Sequence, residues 1–202
     1  MCSPLFVLPQ PSVWKVRLGE HNLKQQDPHE RHVAVSVVHY YPWYKGYDQD
    51  LALMRLVDPI ESSDHIRPLC LPSATTTNFT DKTCMASGWG KLDFGNNFKA
   101  SDVLRVVDVK IYENDVCDRA YRPRFRIPIQ QWHLCAGRLE NGVRKGTCQG
   151  DSGGPLQCQI NGRWTLAGLT SFGSGCAKPG FPDVYTRVSH YLSWIKQTTG
   201  MQ

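Results

Sequence analysis

Late in the chain, directly after Cys148 and Gln149, three glycines and a proline enclose an acid–serine pair: Gly150-Asp151-Ser152-Gly153-Gly154-Pro155. Glycine on both flanks lets the backbone turn sharply and leaves room for a substrate carbonyl to approach the hydroxyl. An ordinary turn serine needs no such setting. A serine hydroxyl is a poor nucleophile at neutral pH and requires a neighbouring base, itself held by a carboxylate. Asp50, in the run Tyr47-Asp48-Gln49-Asp50-Leu51-Ala52-Leu53-Met54-Arg55-Leu56, is the candidate carboxylate, with Asp48 its nearest competitor and a plain surface acid the bland alternative. The base is missing. Of the seven histidines (His21, His29, His32, His39, His65, His133 and His190) none stands in the required context, and each is expected to be a surface or loop residue.

A chain of 202 residues with 41% hydrophobic residues can bury a sizeable core as one or two compact units. No stretch approaches the ~20 apolar residues of a membrane span. The start, Met1-Cys2-Ser3-Pro4-Leu5-Phe6-Val7-Leu8-Pro9, has no basic leader region and is interrupted by prolines, so it does not read as a signal peptide. The net charge of +5 is modest and does not point to nucleic acid. Its one dense patch, Arg119, Arg122, Arg124 and Arg126, is expected to be a solvated surface loop; an exosite for acidic polymers such as heparin is the sharper alternative.

Segments rich in β-branched residues at 33–38, 103–111 and 164–172 read as strands, punctuated by turns such as Phe94-Gly95-Asn96-Asn97. Two short helices are expected. One is capped by Asn114 or Asp115 and runs to Tyr121; the other is capped by Ser189, with Tyr191, Leu192, Trp194 and Ile195 as its apolar stripe. Eight cysteines suggest a secreted, disulfide-bonded domain, although spacing leaves the pairing open. Asn78-Phe79-Thr80 is a glycosylation sequon in keeping with that compartment.

The hexapeptide and the acidic run resemble the chymotrypsin/trypsin-like serine endopeptidases. The resemblance continues in family order through Val16-Arg17-Leu18-Gly19-Glu20-His21-Asn22, Arg67-Pro68-Leu69-Cys70-Leu71-Pro72 and Cys84-Met85-Ala86-Ser87-Gly88-Trp89-Gly90. Leu134-Cys135-Ala136-Gly137, Ser171-Phe172-Gly173 and Val184-Tyr185-Thr186-Arg187-Val188 complete it. It implies an all-β fold of two antiparallel six-stranded barrels with the active site in their cleft. Residues 1–80 would form part of the first barrel, 81–188 the second, and 189–202 a C-terminal helix. The first barrel is expected to be incomplete, the chain being truncated at its N-terminus. The implied bridges are Cys84–Cys158, Cys117–Cys135 and Cys148–Cys176. Cys2 and Cys70 are left over, and their family partners would lie before residue 1; a Cys2–Cys70 bridge or free thiols are the alternatives.

By the same resemblance Ser152 is the nucleophile, Asp50 orients the histidine, and the Gly150 and Ser152 amides form the oxyanion hole, where one lost donor costs ~3–4 kcal/mol in a related enzyme. Aligned on Cys2, Met1 falls at the histidine's position. Asp151 would pair with a freed amino terminus, a proteolytic switch, yet Met1-Cys2-Ser3 does not resemble such a terminus. Counting from Ser152 puts Gly146 on the pocket floor, where trypsins carry aspartate; counting from Cys176 to Tyr185 puts Asp183 on the wall, with Gly173 at the entrance. A carboxylate in an apolar pocket needs a partner or becomes protonated, so cleavage after basic residues is expected, a narrowed pocket with atypical preference being the alternative. No cofactor is required. Glu20, Asn22, Gln25, Asp27 and Glu30 match a structural calcium loop, against a solvated acidic loop diluted by Lys24 and Arg31. Partners would be protein or peptide substrates and serine protease inhibitors, in an extracellular setting. A pseudoprotease acting as a binding or regulatory protein is the competing function.

Overall fold

The computed structural model describes residues 10–73, 78–92, 99–138 and 145–201. The N-terminal part contributes a three-stranded antiparallel sheet of β1 (Lys15–Leu18), β2 (Arg31–Tyr40) and β3 (Ala52–Leu56), with β2 in the middle. Val35 and Leu51 are the buried hydrophobic side chains of this region among the described residues.

Six strands then close a barrel: β4 (Thr83–Gly88), β5 (Arg105–Tyr112), β6 (His133–Gly137), β7 (Pro155–Ile160), β8 (Arg163–Phe172) and β9 (Asp183–Arg187), in the order β4-β5-β6-β9-β8-β7. Closure leaves no unpaired edge. The β7–β8 hairpin turns on Asn161-Gly162, both left-handed (φ 49° and 76°), the pair that a two-residue hairpin favours. Ala86, Val109, Ile111, Leu134, Leu156, Ala167 and Tyr185 fill the interior, all at most 1% exposed.

The three bridges form as the resemblance implied. Cys84–Cys158 joins β4 to β7, Cys117–Cys135 ties the first helix to β6, and Cys148–Cys176 links the two loops beside Ser152. Among the described residues the Cys70 thiol has no disulfide partner and is exposed, while its backbone pairs with β8 through Trp164 and Leu166. Cys2 and the turn at 94–97 lie outside the described residues.

Both helix ends differ from expectation. Helix α1 spans Asn114–Phe125, past Tyr121, and Glu113 rather than Asn114 or Asp115 stands at its N-cap. Asn114 is spent elsewhere: its Nδ2 donates to the carbonyls of Gln130 (2.7 Å) and His133 (3.0 Å). Ser189 caps nothing, because it lies inside a 3₁₀ turn, Val188–Tyr191, that leads into α2 (Leu192–Thr199). The apolar stripe does pack inward, with Tyr191 and Ile195 buried against Leu51 and Val188. The arginine patch is not a loop: Arg119, Arg122 and Arg124 ride on α1, where Arg119 pairs with Asp115 and Arg122 with Asp118, each four residues back. That pairing sets two carboxylates beside two of the four guanidinium groups.

Candidate active site

The Ser152 turn is built from positive-φ glycines and held by β8. Gly150 (φ 98°) and Gly153 (φ 79°) make the reversal, Gly153 N–H donates to the Thr170 carbonyl (2.8 Å), and Thr170 N–H donates to Gly154 (2.9 Å). Ser152 is exposed at the apex. Beneath it, the Asp151 carboxylate accepts from the Gly90 amide (2.8 Å) and the Cys148 amide (2.9 Å). Only glycine fits opposite, since a β-carbon on Gly90 would stand 2.5 Å from that carboxylate. The Gln149 carbonyl is engaged by the Lys91 amide (2.9 Å). In a trans peptide the following N–H points the opposite way, so the Gly150 amide is directed away from Lys91. Among the described residues neither the Gly150 nor the Ser152 amide has a protein acceptor.

Asp50 sits just before β3, yet the barrel holds it. Ser171 Oγ on β8 donates to its carboxylate (2.7 Å), and Thr186 Oγ1 on β9 donates to its carbonyl (2.7 Å). Asp48 is committed differently, accepting from Trp132 Nε1 (2.6 Å), which separates the two candidate acids. The sequence showed Ser171 within a motif but not the task of its hydroxyl.

Asp183, on β9, is 3% exposed, and its Oδ2 accepts from the Thr147 amide (2.7 Å) and hydroxyl (3.1 Å). Burial pushes its carboxyl up to about 7, against the opposing pull of those two Thr147 bonds. The carboxyl lies between the two expected pocket glycines: a β-carbon on Gly146 would come within 2.5 Å of Oδ2, and one on Gly173 within 2.8 Å of Oδ1. Ser152, Gly173, Thr147 and Asp183 line one cavity of about 110 Å3. The Tyr121 hydroxyl, absent from the sequence reading, braces the wall by donating to Pro182 (2.8 Å) and accepting from the Ser174 amide (3.0 Å). A family model described as Trypsin matches residues 7–195.

The chain belongs to the trypsin family. Within a trypsin-family site the proton acceptor is an imidazole between serine and aspartate. Among the described residues no histidine hydrogen-bonds Ser152 or Asp50. His133 was expected on the surface and is instead buried at 3% exposure in β6. Its Nδ1 accepts from Gln130 N–H (3.0 Å) and its Nε2 is within hydrogen-bond distance of the Tyr47 carbonyl (3.2 Å), so both nitrogens are occupied. Burial lowers its pKa, as befits a neutral structural ring. Asn78 is exposed, its side-chain oxygen accepting from Thr80 N–H (2.8 Å). The expected oxygen donors Glu20, Asn22, Gln25, Asp27 and Glu30 lie in the connection between β1 and β2. Among the described residues no helix is long and apolar enough to cross a membrane.

Proposed function

We propose that this chain carries the nucleophile, the oxyanion donors and the specificity pocket of a secreted serine endopeptidase that cleaves after basic residues. The observation that supports this most is the pair of acceptor-free amides at Gly150 and Ser152, beside an exposed hydroxyl and a pocket ending in Asp183. Ser152 Oγ would attack the carbonyl carbon of the scissile bond while an imidazole removes its proton. The oxygen, now negative, would accept from the two amides, a contribution of about 3–4 kcal/mol per donor. Collapse returns the proton to the leaving amine, and water then repeats the sequence on the acyl-enzyme. Asp50, fixed by Ser171, would orient the imidazole. The described residues supply no such imidazole, and its loss costs on the order of a million-fold in turnover in a comparable enzyme. The chain as given is therefore proposed to be inert. A cationic substrate side chain would favour the ionised form of Asp183, whose burial otherwise favours protonation.

The same cleft admits a non-catalytic reading, in which the fold binds partners without turnover. Met1→His, produced behind an upstream initiator, separates the two. Arginyl, phenylalanyl and alanyl peptide substrates are then compared. The endopeptidase reading expects arginyl hydrolysis to lead; poor arginyl turnover ends the basic preference, and no turnover of any substrate favours the binding role. Three disulfides and the exposed sequon at Asn78 support the extracellular assignment, with protein substrates and protease inhibitors as partners.

A further inference from the structure

The β1–β2 connection brings two acids face to face. Gly19 (φ 68°) turns the chain out of β1 where a β-carbon would meet the His29 carbonyl at 2.7 Å, and this folds Glu20 back towards Glu30. Both carboxylates are nearly enclosed, their side chains 3% and 7% exposed. Two buried like charges need a counter-ion. In the family that ion is calcium, held by carboxylates and backbone carbonyls.

Here the residues do not fit it. Arg17, on β1, lies between the acids: its Nη1 is 2.7 Å from Glu20 Oε2 and its Nε is 3.1 Å from Glu30 Oε1. His32, directly across the ladder from Arg17, adds a second contact to the same Glu30 oxygen. The hydrogen bond from His32 and the nearby Arg17 charge hold the Glu30 carboxyl below its ordinary value despite desolvation. Of the other expected oxygen donors, Asn22 and Asp27 are engaged in turns. Asn22 carbonyl accepts from Gln25 N–H (2.9 Å) and Asn22 Oδ1 from Lys24 N–H (3.1 Å). Asp27 Oδ1 accepts from His29 N–H (3.0 Å). Among the described residues no three acids, histidines or cysteines converge in a way that could hold a metal ion.

We infer that Arg17 takes the place of the divalent cation in this loop, so that the protein holds residues 19–30 together without calcium. The guanidinium is suited to the task because its planar fork reaches two carboxylates at once and stays charged at any working pH. The loop matters to the rest of the molecule: His21 carbonyl accepts from Trp89 Nε1 (3.2 Å), next to the Gly90 amide that holds Asp151. The clamp is not saturated, since Glu20 Oε1 is buried without a partner. Removing Arg17 would leave the Glu20 carboxylate, with its partnerless Oε1, unneutralised opposite a Glu30 held by His32, and so free the place a cation would take. This inference rests on family membership and not on the proteolytic reading.

The test is thermal melting of the full chain and of Arg17→Gln, each in EDTA and in calcium at about 1 mM, the upper end of what extracellular calcium modules require. The native chain is expected to melt at the same temperature in both. Arg17→Gln is expected to lose at least about 2–4 °C in EDTA and to regain it with calcium. A native chain whose Tm rises in calcium overturns the inference, as does an Arg17→Gln protein that is neither weakened nor calcium-responsive. Should Arg17→Gln fail to fold in EDTA, refolding with calcium decides: recovery supports the clamp, and equal failure with and without the ion contradicts it.

Discussion

The two sheet systems of this molecule are stabilised in different ways. The barrel of β4 to β9 is closed, filled by side chains at most 1% exposed, and anchored by three disulfides. The sheet of β1 to β3 is open, and where it is tightened the work is done by an ion cluster around Arg17 and by bonds reaching across to the barrel. Ser152, the two free amides and the pocket belong wholly to the closed part. Asp50 belongs to the open part by sequence but to the closed part by contacts. The Ser152 turn is thus kept in place by one barrel alone, while the position of Asp50 depends on docking between the two systems.

The contrast breaks most visibly through the barrel's covalent core. Replacing both Cys84 and Cys158 by serine is expected to cost about 2–5 kcal/mol in denaturant melts, whereas Met54→Ala on the half-exposed face of β3 should stay within about 0.5 kcal/mol. Comparable losses at the two sites would erase the distinction. Next comes the pocket acid. The Asp183 carboxyl sits at about 7 in the folded chain against 3.8 ordinarily, so the folded state holds a proton that the unfolded state has released. Its stabilisation is full below about pH 4 and is lost as pH rises through 7. Asp183→Asn should therefore gain on the parent by about 2–4 kcal/mol between these limits, and parallel pH profiles would refute the buried acid. The smallest expected change sharpens the docking claim: Ser171→Ala removes the bond to Asp50 and should cost about 0.5–1.5 kcal/mol. Amide exchange should then quicken around residues 47–52 and leave the barrel core unchanged.

Much of this was legible beforehand because the relevant signals are local. A glycine-flanked serine fixes its own turn, the family resemblance supplied the three bridges, and a count between Cys176 and Tyr185 picked out Asp183, which lies beside Gly146 and Gly173. What escaped were side chains whose partners are remote in sequence. Asn114 looked like a cap and serves β6 instead; His133 looked like a surface ring and is buried with both nitrogens bonded; Arg17 stood inside a family motif with no task of its own. Each is decided by a partner that no window of sequence contains, although an arginine three residues before Glu20 was a hint.

The account stands or falls on Ser152 being a hydroxyl set for acyl transfer that lacks its base. Exposure to an active-site phosphonate, with the adduct mapped by peptide mass spectrometry, measures this directly. Met1→His should become labelled at Ser152, with the parent chain and a Met1→His protein also carrying Ser152→Ala remaining unlabelled there. A Met1→His protein that folds and leaves Ser152 unmodified would contradict the account.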